Sequence, residues 1–198
     1  MDELAKEYVI DFFTKRLLHF KDKPESVGWS EEGQILRYST ILKLINPEGK
    51  SLLDFGCGKG DFYGYLLKRK ISCNYIGIDI NPHLIQIAKE KYNGANFIQR
   101  DIEKEPLKEK FHYTVAIGVF NLAVEGIEEQ MKRCLEILFN HTTVKLIFTC
   151  LNKNTRTKDI GLTYFEKGYL VNIAQRLTEK YTVLDDLIEG DLFLILER

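Results

Sequence analysis

The spacing of hydrophobic and polar positions changes near residue 50. Before it, Leu4, Tyr8, Phe12, Leu17 and Leu18, with charges between them, predict an amphipathic helix from Asp2 to about Phe20. Lys21 to Ser26, containing Pro24, breaks that pattern, and Gly28 to Gly33 reads as a loop. Gln34 to Ile45 predicts a second helix, ended by Asn46-Pro47-Glu48-Gly49. From Lys50 onward, short apolar runs alternate with helical periods. The runs are Ser51–Phe55, Asn74–Asp79, about Asn96–Arg100, about Tyr113–Val119 and Thr143–Cys150. Helices are expected at about Asp61–Lys70, Pro82–Tyr92, Gly126–Phe139 and Glu166–Glu179. Pro82 suits a first helical turn, with Asn81 or Asp79 as its cap. Tyr181–Leu184 and Leu192–Glu197 close the chain as a terminal pair of strands.

Strands alternating with helices predict a mostly parallel sheet covered by helices on both faces. The expected fold is α/β, a three-layer sandwich around seven strands, with a C-terminal antiparallel hairpin and helices at the N-terminus. No internal repeat or low-complexity segment interrupts it.

The chemistry concentrates in Ser51-Leu52-Leu53-Asp54-Phe55-Gly56-Cys57-Gly58-Lys59-Gly60-Asp61. A buried strand there ends in an acid and enters a turn with three alternating glycines that opens a helix. Glycines let a backbone approach a ligand closely, and the amides of such a turn are expected to face outward. The dinucleotide fingerprint G-x-G-x-x-G requires a third glycine where Asp61 stands, so a nicotinamide oxidoreductase is disfavoured. Asp79 ends the second strand about 20 residues later, where an acid can accept both ribose hydroxyls; the other reading is a helix cap. Asp101 follows the third strand, and the fourth ends in Ala116-Ile117-Gly118-Val119-Phe120-Asn121-Leu122.

Together these four segments, in this order, resemble the class I (Rossmann-like) S-adenosylmethionine (SAM)-dependent methyltransferases, from about Trp29 to the end of the chain. The resemblance implies SAM as cofactor and S-adenosylhomocysteine (SAH) as product. It implies that Asp54 orients the cofactor's ammonium and that Gly56, Gly58 and Gly60 give close backbone contact. Asp79 would hold the ribose, Ile80 would pack on the adenine, and Asp101 with the amide of Ile102 would meet the adenine edge. Gly118 and Val119 would lie near the sulfonium. Asn121 either positions the methyl acceptor or serves as a turn asparagine. Arg37, in the segment Gly28-Trp29…Gln34…Arg37-Tyr38, either pairs with the SAM carboxylate or is a surface arginine. Residues 1–48 are expected to form a helical cap over the active site, and residues 49–198 the SAM-binding domain.

Departures from family patterns narrow the chemistry. No Asn-Pro-Pro-Tyr or Asp-Pro-Pro-Tyr follows the fourth strand, against an amino-methylase of adenine, cytosine or glutamine type, and no metal-ligand set is present. Methyl transfer from a sulfonium needs positioning more than a base. Among histidines, His83 is expected to be exposed, His112 and His141 lie at the wrong strand ends, and His19 reads as a surface residue. Tyr8, Tyr38 and Tyr164 are the other candidate bases, each read as core or rim. The polar loop Asn152–Thr163 reads as a lid or a plain connection. Its border Tyr164-Phe165 suggests an apolar part in the acceptor.

Composition sets the outer limits. The chain has 198 residues, 44% hydrophobic and 29% charged, enough for a full core. With 28 basic and 29 acidic residues and no basic block, a nucleic-acid substrate is disfavoured. Cys57, Cys73, Cys134 and Cys150 form no C-x-x-C pair and read as reduced thiols. No signal-peptide core or membrane-length run appears, so a cytoplasmic monomer or homodimer without membrane contact is expected. The functional reading is methyl transfer to a small-molecule acceptor. The alternatives are a methyltransferase for RNA or protein, or a SAM-binding protein without catalysis.

Overall fold

A computed structural model describes all 198 residues. The chain resolves into two compact units, Asp2–Asp101 and Ile102–Arg198, with Met1 belonging to the second. The first unit runs α1 (Glu3–Phe20), a 3-10 turn (Pro24–Val27), α2 (Glu31–Leu44), β1 (Ser51–Phe55), α3 (Asp61–Lys68), β2 (Asn74–Asp79), α4 (Pro82–Lys91) and β3 (Asn96–Gln99). Its strands are parallel in the order β3-β2-β1, with Leu53 opposite Ile76 and Ile78 opposite Ile98. Helix α2 starts three residues before the expected Gln34, because the Ser30 side chain accepts from the Gly33 amide and caps it.

Packing explains part of the glycine pattern. Tyr63, Tyr75, Tyr92 and Phe97 form one aromatic cluster, with ring centroids 4.9–6.3 Å apart in successive pairs. Phe97 is buried and fills the space where a Cβ on Gly60 would sit, 2.7 Å away. Burying such a ring contributes about 1.5–3 kcal/mol.

Helix α1 corrects the expected inward face. Leu4, Tyr8 and Leu18 are 74, 52 and 75% exposed. The inward side adds Lys6, Ile10 and Thr14, while Phe12 and Leu17 of the expected positions are half-buried. Two polar anchors choose this face: Lys6 Nζ lies 2.7 Å from Asp101, and the Asn81 side-chain amide donates to the Ile10 carbonyl and Thr14 hydroxyl.

The second unit contains β4 (Phe111–Ile117), α5 (Ile127–Asn140), β5 (Thr142–Asn152), β6 (Tyr164–Phe165), α6 (Lys167–Leu177), β7 (Tyr181–Leu184) and β8 (Asp191–Glu197). The order is β4-β5-β8-β7; β4 and β5 are parallel, and β8 runs antiparallel to both neighbours. The terminal hairpin expected from the sequence is therefore present. Leu192–Leu196 are all buried, as in a strand covered on both faces. Met131, Cys134, Leu135 and Leu138 give α5 its buried stripe. The additional strand β6, parallel to β5, is only two residues long, too short to show a period. No helix is long and apolar enough to cross a membrane.

Candidate cofactor and acceptor sites

In the first unit, β1 delivers its chain into the turn Gly56–Gly60, where Gly56, Gly58 and Gly60 have φ of 74°, 54° and 76°. Only glycine takes such angles without strain, which is why the sequence alternates as it does. The amides of this turn are largely engaged within the protein, contrary to the outward-facing expectation. Gly56 and Cys57 donate to the Ile78 carbonyl at 2.7 and 3.1 Å, and Gly60 donates to Cys57. The Gly58 amide donates to Asp79 Oδ2 at 2.9 Å.

Asp79 thus ties the end of β2 to the glycine turn, and its other oxygen accepts from the Asn81 amide at 2.8 Å. Burial pushes its carboxyl above the usual range, against the bonds from Asn81, Gly58 and Ile80. The cap of α4 is Asn81, whose side chain accepts from the His83 and Leu84 amides. Asp54 is 3% exposed and accepts from the Tyr75 hydroxyl at 2.6 Å. Burial raises its carboxyl to about 7, with Tyr75 opposing and Asp79 and Asp61 reinforcing the rise. Burial likewise pushes the Cys57 thiol up, so it is not an activated nucleophile.

Ile80 is half-buried, and its carbonyl accepts from Gln99 at 3.4 Å. Asp101 pairs with Lys6 at 2.7 Å, so the expected adenine acceptor already faces a cation from α1. Arg37 lies on α2; its guanidinium sits 4.4 Å from the Trp29 ring centroid and donates to the Gly33 carbonyl at 3.2 Å. His83 and His19 are exposed. Sequence reasoning missed Lys59. Its side chain is 1% exposed, bonded to Asp61 Oδ2 at 2.6 Å, and the only hint was the acid two residues on.

In the second unit, Ile102 is buried. Gly118 follows β4 with φ 68°, and its amide donates to the Thr149 carbonyl and hydroxyl, both at 3.1 Å. Val119 is half-buried. Asn121 Oδ1 is buried without a hydrogen-bond partner. A strap holds this residue: Thr163 donates to the Asn121 carbonyl at 2.7 Å, Leu162 bridges Leu122, and Ala123 donates to Gly161. The loop ahead of the strap lines a shallow depression of about 590 Å³ with Thr157, Lys158, Asp159, Ile160 and Tyr164. Phe165 is not on its rim: it is 2% exposed and stacked on Tyr169.

A family model described as a methyltransferase domain matches residues 46–161. The chain belongs to the class I SAM-dependent methyltransferases. SAM is the methyl donor this membership assigns, with SAH as product. A fatty-acid O-methyltransferase of Mycolicibacterium smegmatis is 31% identical over 46% of this chain and 35% of its own length. A demethylmenaquinone methyltransferase of Chlorobaculum tepidum is 26% identical over 95% of this chain and 74% of its own. A tRNA (carboxymethyluridine(34)-5-O)-methyltransferase of Arabidopsis thaliana is 34% identical over 69% of this chain but 30% of its own. The chain thus spans about a third of the first and last of these relatives. Magnesium protoporphyrin IX methyltransferase of Synechocystis PCC 6803, solved with bound SAM, superposes with a TM-score of 0.70 at 16% identity, covering 100% of this chain and 98% of that one. The shared fold is Rossmann-like, as the element order implies.

Proposed function

We propose that this methyltransferase transfers the SAM methyl group to a small molecule with an apolar body. The observation that carries the acceptor side is the buried, unpartnered Oδ1 of Asn121 beside the end of β4. An oxygen in that state costs roughly 1–3 kcal/mol unless something donates to it. An acceptor hydroxyl or amine is a donor of the required kind. The fatty-acid and menaquinone relatives act on apolar molecules, and the chain has no basic block for a phosphate backbone.

The residues on the cofactor side fit SAM. A buried carboxylate at Asp54 suits an ammonium, and in this reading Asp79 also accepts from the ribose hydroxyls. In this reading Gly56, Gly58 and Gly60 allow close approach, Ile80 and Ile102 flank the adenine, and Arg37 takes the carboxylate. Asp101 serves the adenine amino group once Lys6 shares it. Gly118 and Val119 contribute backbone near the sulfonium, and residues 1–48 act as a cap. Bound SAM supplies an electrophilic methyl group whose leaving group is a neutral thioether. What the chain must add is orientation and exclusion of water. Asn121 would orient the acceptor atom, and no histidine is required as a base.

The reading is tested by thermal unfolding with SAM, SAH and NAD. Ligand at 100 times its dissociation constant stabilises by about 2.7 kcal/mol, or roughly 5–10 °C for a chain of this size. A rise with SAM and SAH but not NAD is expected, and a rise with NAD alone would overturn the assignment. With SAM bound, Asn121→Ala is expected to lower turnover of an apolar hydroxy or amino acceptor while leaving SAM affinity unchanged. Unchanged turnover would remove Asn121 from the acceptor.

A further inference from the structure

Lys59 sits inside the glycine turn with its ammonium buried, and Asp61, Lys91 and Asp22 close a ring of four charges with it. Lys59 Nζ lies 2.6 Å from Asp61 Oδ2 and 3.4 Å from Asp22 Oδ1. Lys91 Nζ lies 3.1 Å from Asp61 Oδ1 and 2.7 Å from Asp22 Oδ1. Charges alternate around the ring, so each carboxylate meets two cations. Gln34 adds a bond to Asp61 Oδ2 at 3.2 Å, and the Asp22 carbonyl accepts from Lys59 at 3.4 Å. The members come from five places: the turn after α1, α2, the glycine turn, the start of α3 and the end of α4.

The ring therefore fastens the segment after α1 to the glycine turn. Val27 in that segment lies along Gly58, where a Cβ would be 3.4 Å from its methyl group. Gly28 and Trp29 follow, and Trp29 carries the Arg37 guanidinium on its ring. Burial pushes the Asp61 carboxyl up, but Lys59 and Lys91 more than offset it and hold it below the usual range. A buried ion pair is weak evidence for stability as such, since apolar side chains of like volume often serve as well. A ring joining five segments, in the turn proposed to meet the cofactor, is better suited to fixing geometry.

We propose that this ring is a latch that seats residues 21–29 on the glycine turn and so places Arg37 for the amino-acid end of the cofactor, with Lys59 as its positioning residue. The inference rests on the SAM reading above. Its distinguishing consequence is selectivity between two ligands that share the nucleoside. SAH carries the amino-acid end, and 5′-methylthioadenosine lacks it.

The test is calorimetric binding of both ligands to the full chain and three variants. Asp22 is the outermost member, 57% exposed, so Asp22→Asn leaves the core intact. Asp22→Asn and Lys59→Met are expected to weaken SAH about tenfold, ~1.4 kcal/mol, and 5′-methylthioadenosine less than twofold. Asp22→Glu restores SAH binding, because it keeps the carboxylate. Should Lys59→Met fail to fold, the two Asp22 variants decide. Equal losses on both ligands, or SAH affinity unchanged by Asp22→Asn, would overturn the latch while leaving the cofactor reading in place. If the unaltered chain binds neither ligand, the cofactor reading and the latch fall together.

Discussion

Asp54 gives the chain a pH dependence that can be read at one residue. Its carboxyl is raised from 3.8 to about 7 by burial. Between those values the folded protein keeps a proton that the unfolded chain releases. Stability therefore falls as pH rises through this window, by at most ~1.4 kcal/mol per pH unit, and levels off above it. Thermal unfolding of Asp54→Asn against the unaltered chain should show this slope as a difference between the two, and parallel profiles would contradict it. In the proposed reading a cofactor ammonium beside Asp54 favours the ionised form, so SAH affinity should rise from about pH 6 to 8 and lose that rise in the variant. Asp79→Ala behaves differently. It strands two backbone amides, each worth roughly 1–3 kcal/mol, so unfolding temperature and SAM affinity should fall together. An affinity loss at constant unfolding temperature would mean that the bonds to Gly58 and Asn81 contribute nothing. The place of Asp79 at the end of β2 was legible in the sequence because strand, acid and spacing are local. Lys59 was not, since its burial depends on Asp22 and Lys91, which only the fold brings to it.

At the scale of elements, the glycine turn serves two masters that the sequence could not separate. Gly58 and Gly60 both have positive φ, but the space beside them differs. A Cβ at Gly58 meets only Val27 at van der Waals distance, whereas one at Gly60 overlaps the Phe97 ring at 2.7 Å. Gly58→Ala should cost about 1–2 kcal/mol of backbone strain and act mainly on binding. Gly60→Ala adds overpacking of about 1–3 kcal/mol and should act mainly on the fold. Chemical denaturation of the two variants beside SAH titration checks this, and equal midpoints would refute it. The same limit applies to α1. Its apolar positions satisfied a helical period, but the inward face is set by Asn81 and Asp101, neither visible from within the helix. Leu4→Gln and Leu18→Gln should therefore change stability by less than about 0.5 kcal/mol. Lys6→Met, which removes the ammonium from a partly buried ion pair, should cost on the order of 3 kcal/mol. The regular α/β elements were readable to within a few residues, and β1 and β2 matched at both ends, because each combines an apolar run with turn residues at its borders.

Over the whole molecule, the alternation of strands and helices was enough to give the fold class, since a parallel strand pair requires a crossover helix and leaves few topologies. The acceptor was not legible in the same way. It depends on which polar atoms are left without partners after folding, and Asn121 Oδ1 is such an atom. Charge separates the remaining readings. With 28 basic and 29 acidic residues, the chain has a formal net charge of −1. A small apolar acceptor brings few charges, so turnover should change less than about threefold between 50 and 200 mM salt, screening being all that alters. An RNA acceptor held through six or more phosphates would lose about 10³-fold or more in affinity over the same range. Turnover at limiting acceptor, measured across that salt range at saturating SAM, distinguishes the two without knowing the acceptor's full structure. A loss of that size would favour the RNA reading, with Lys158 in the depression ahead of the strap as the first candidate phosphate contact.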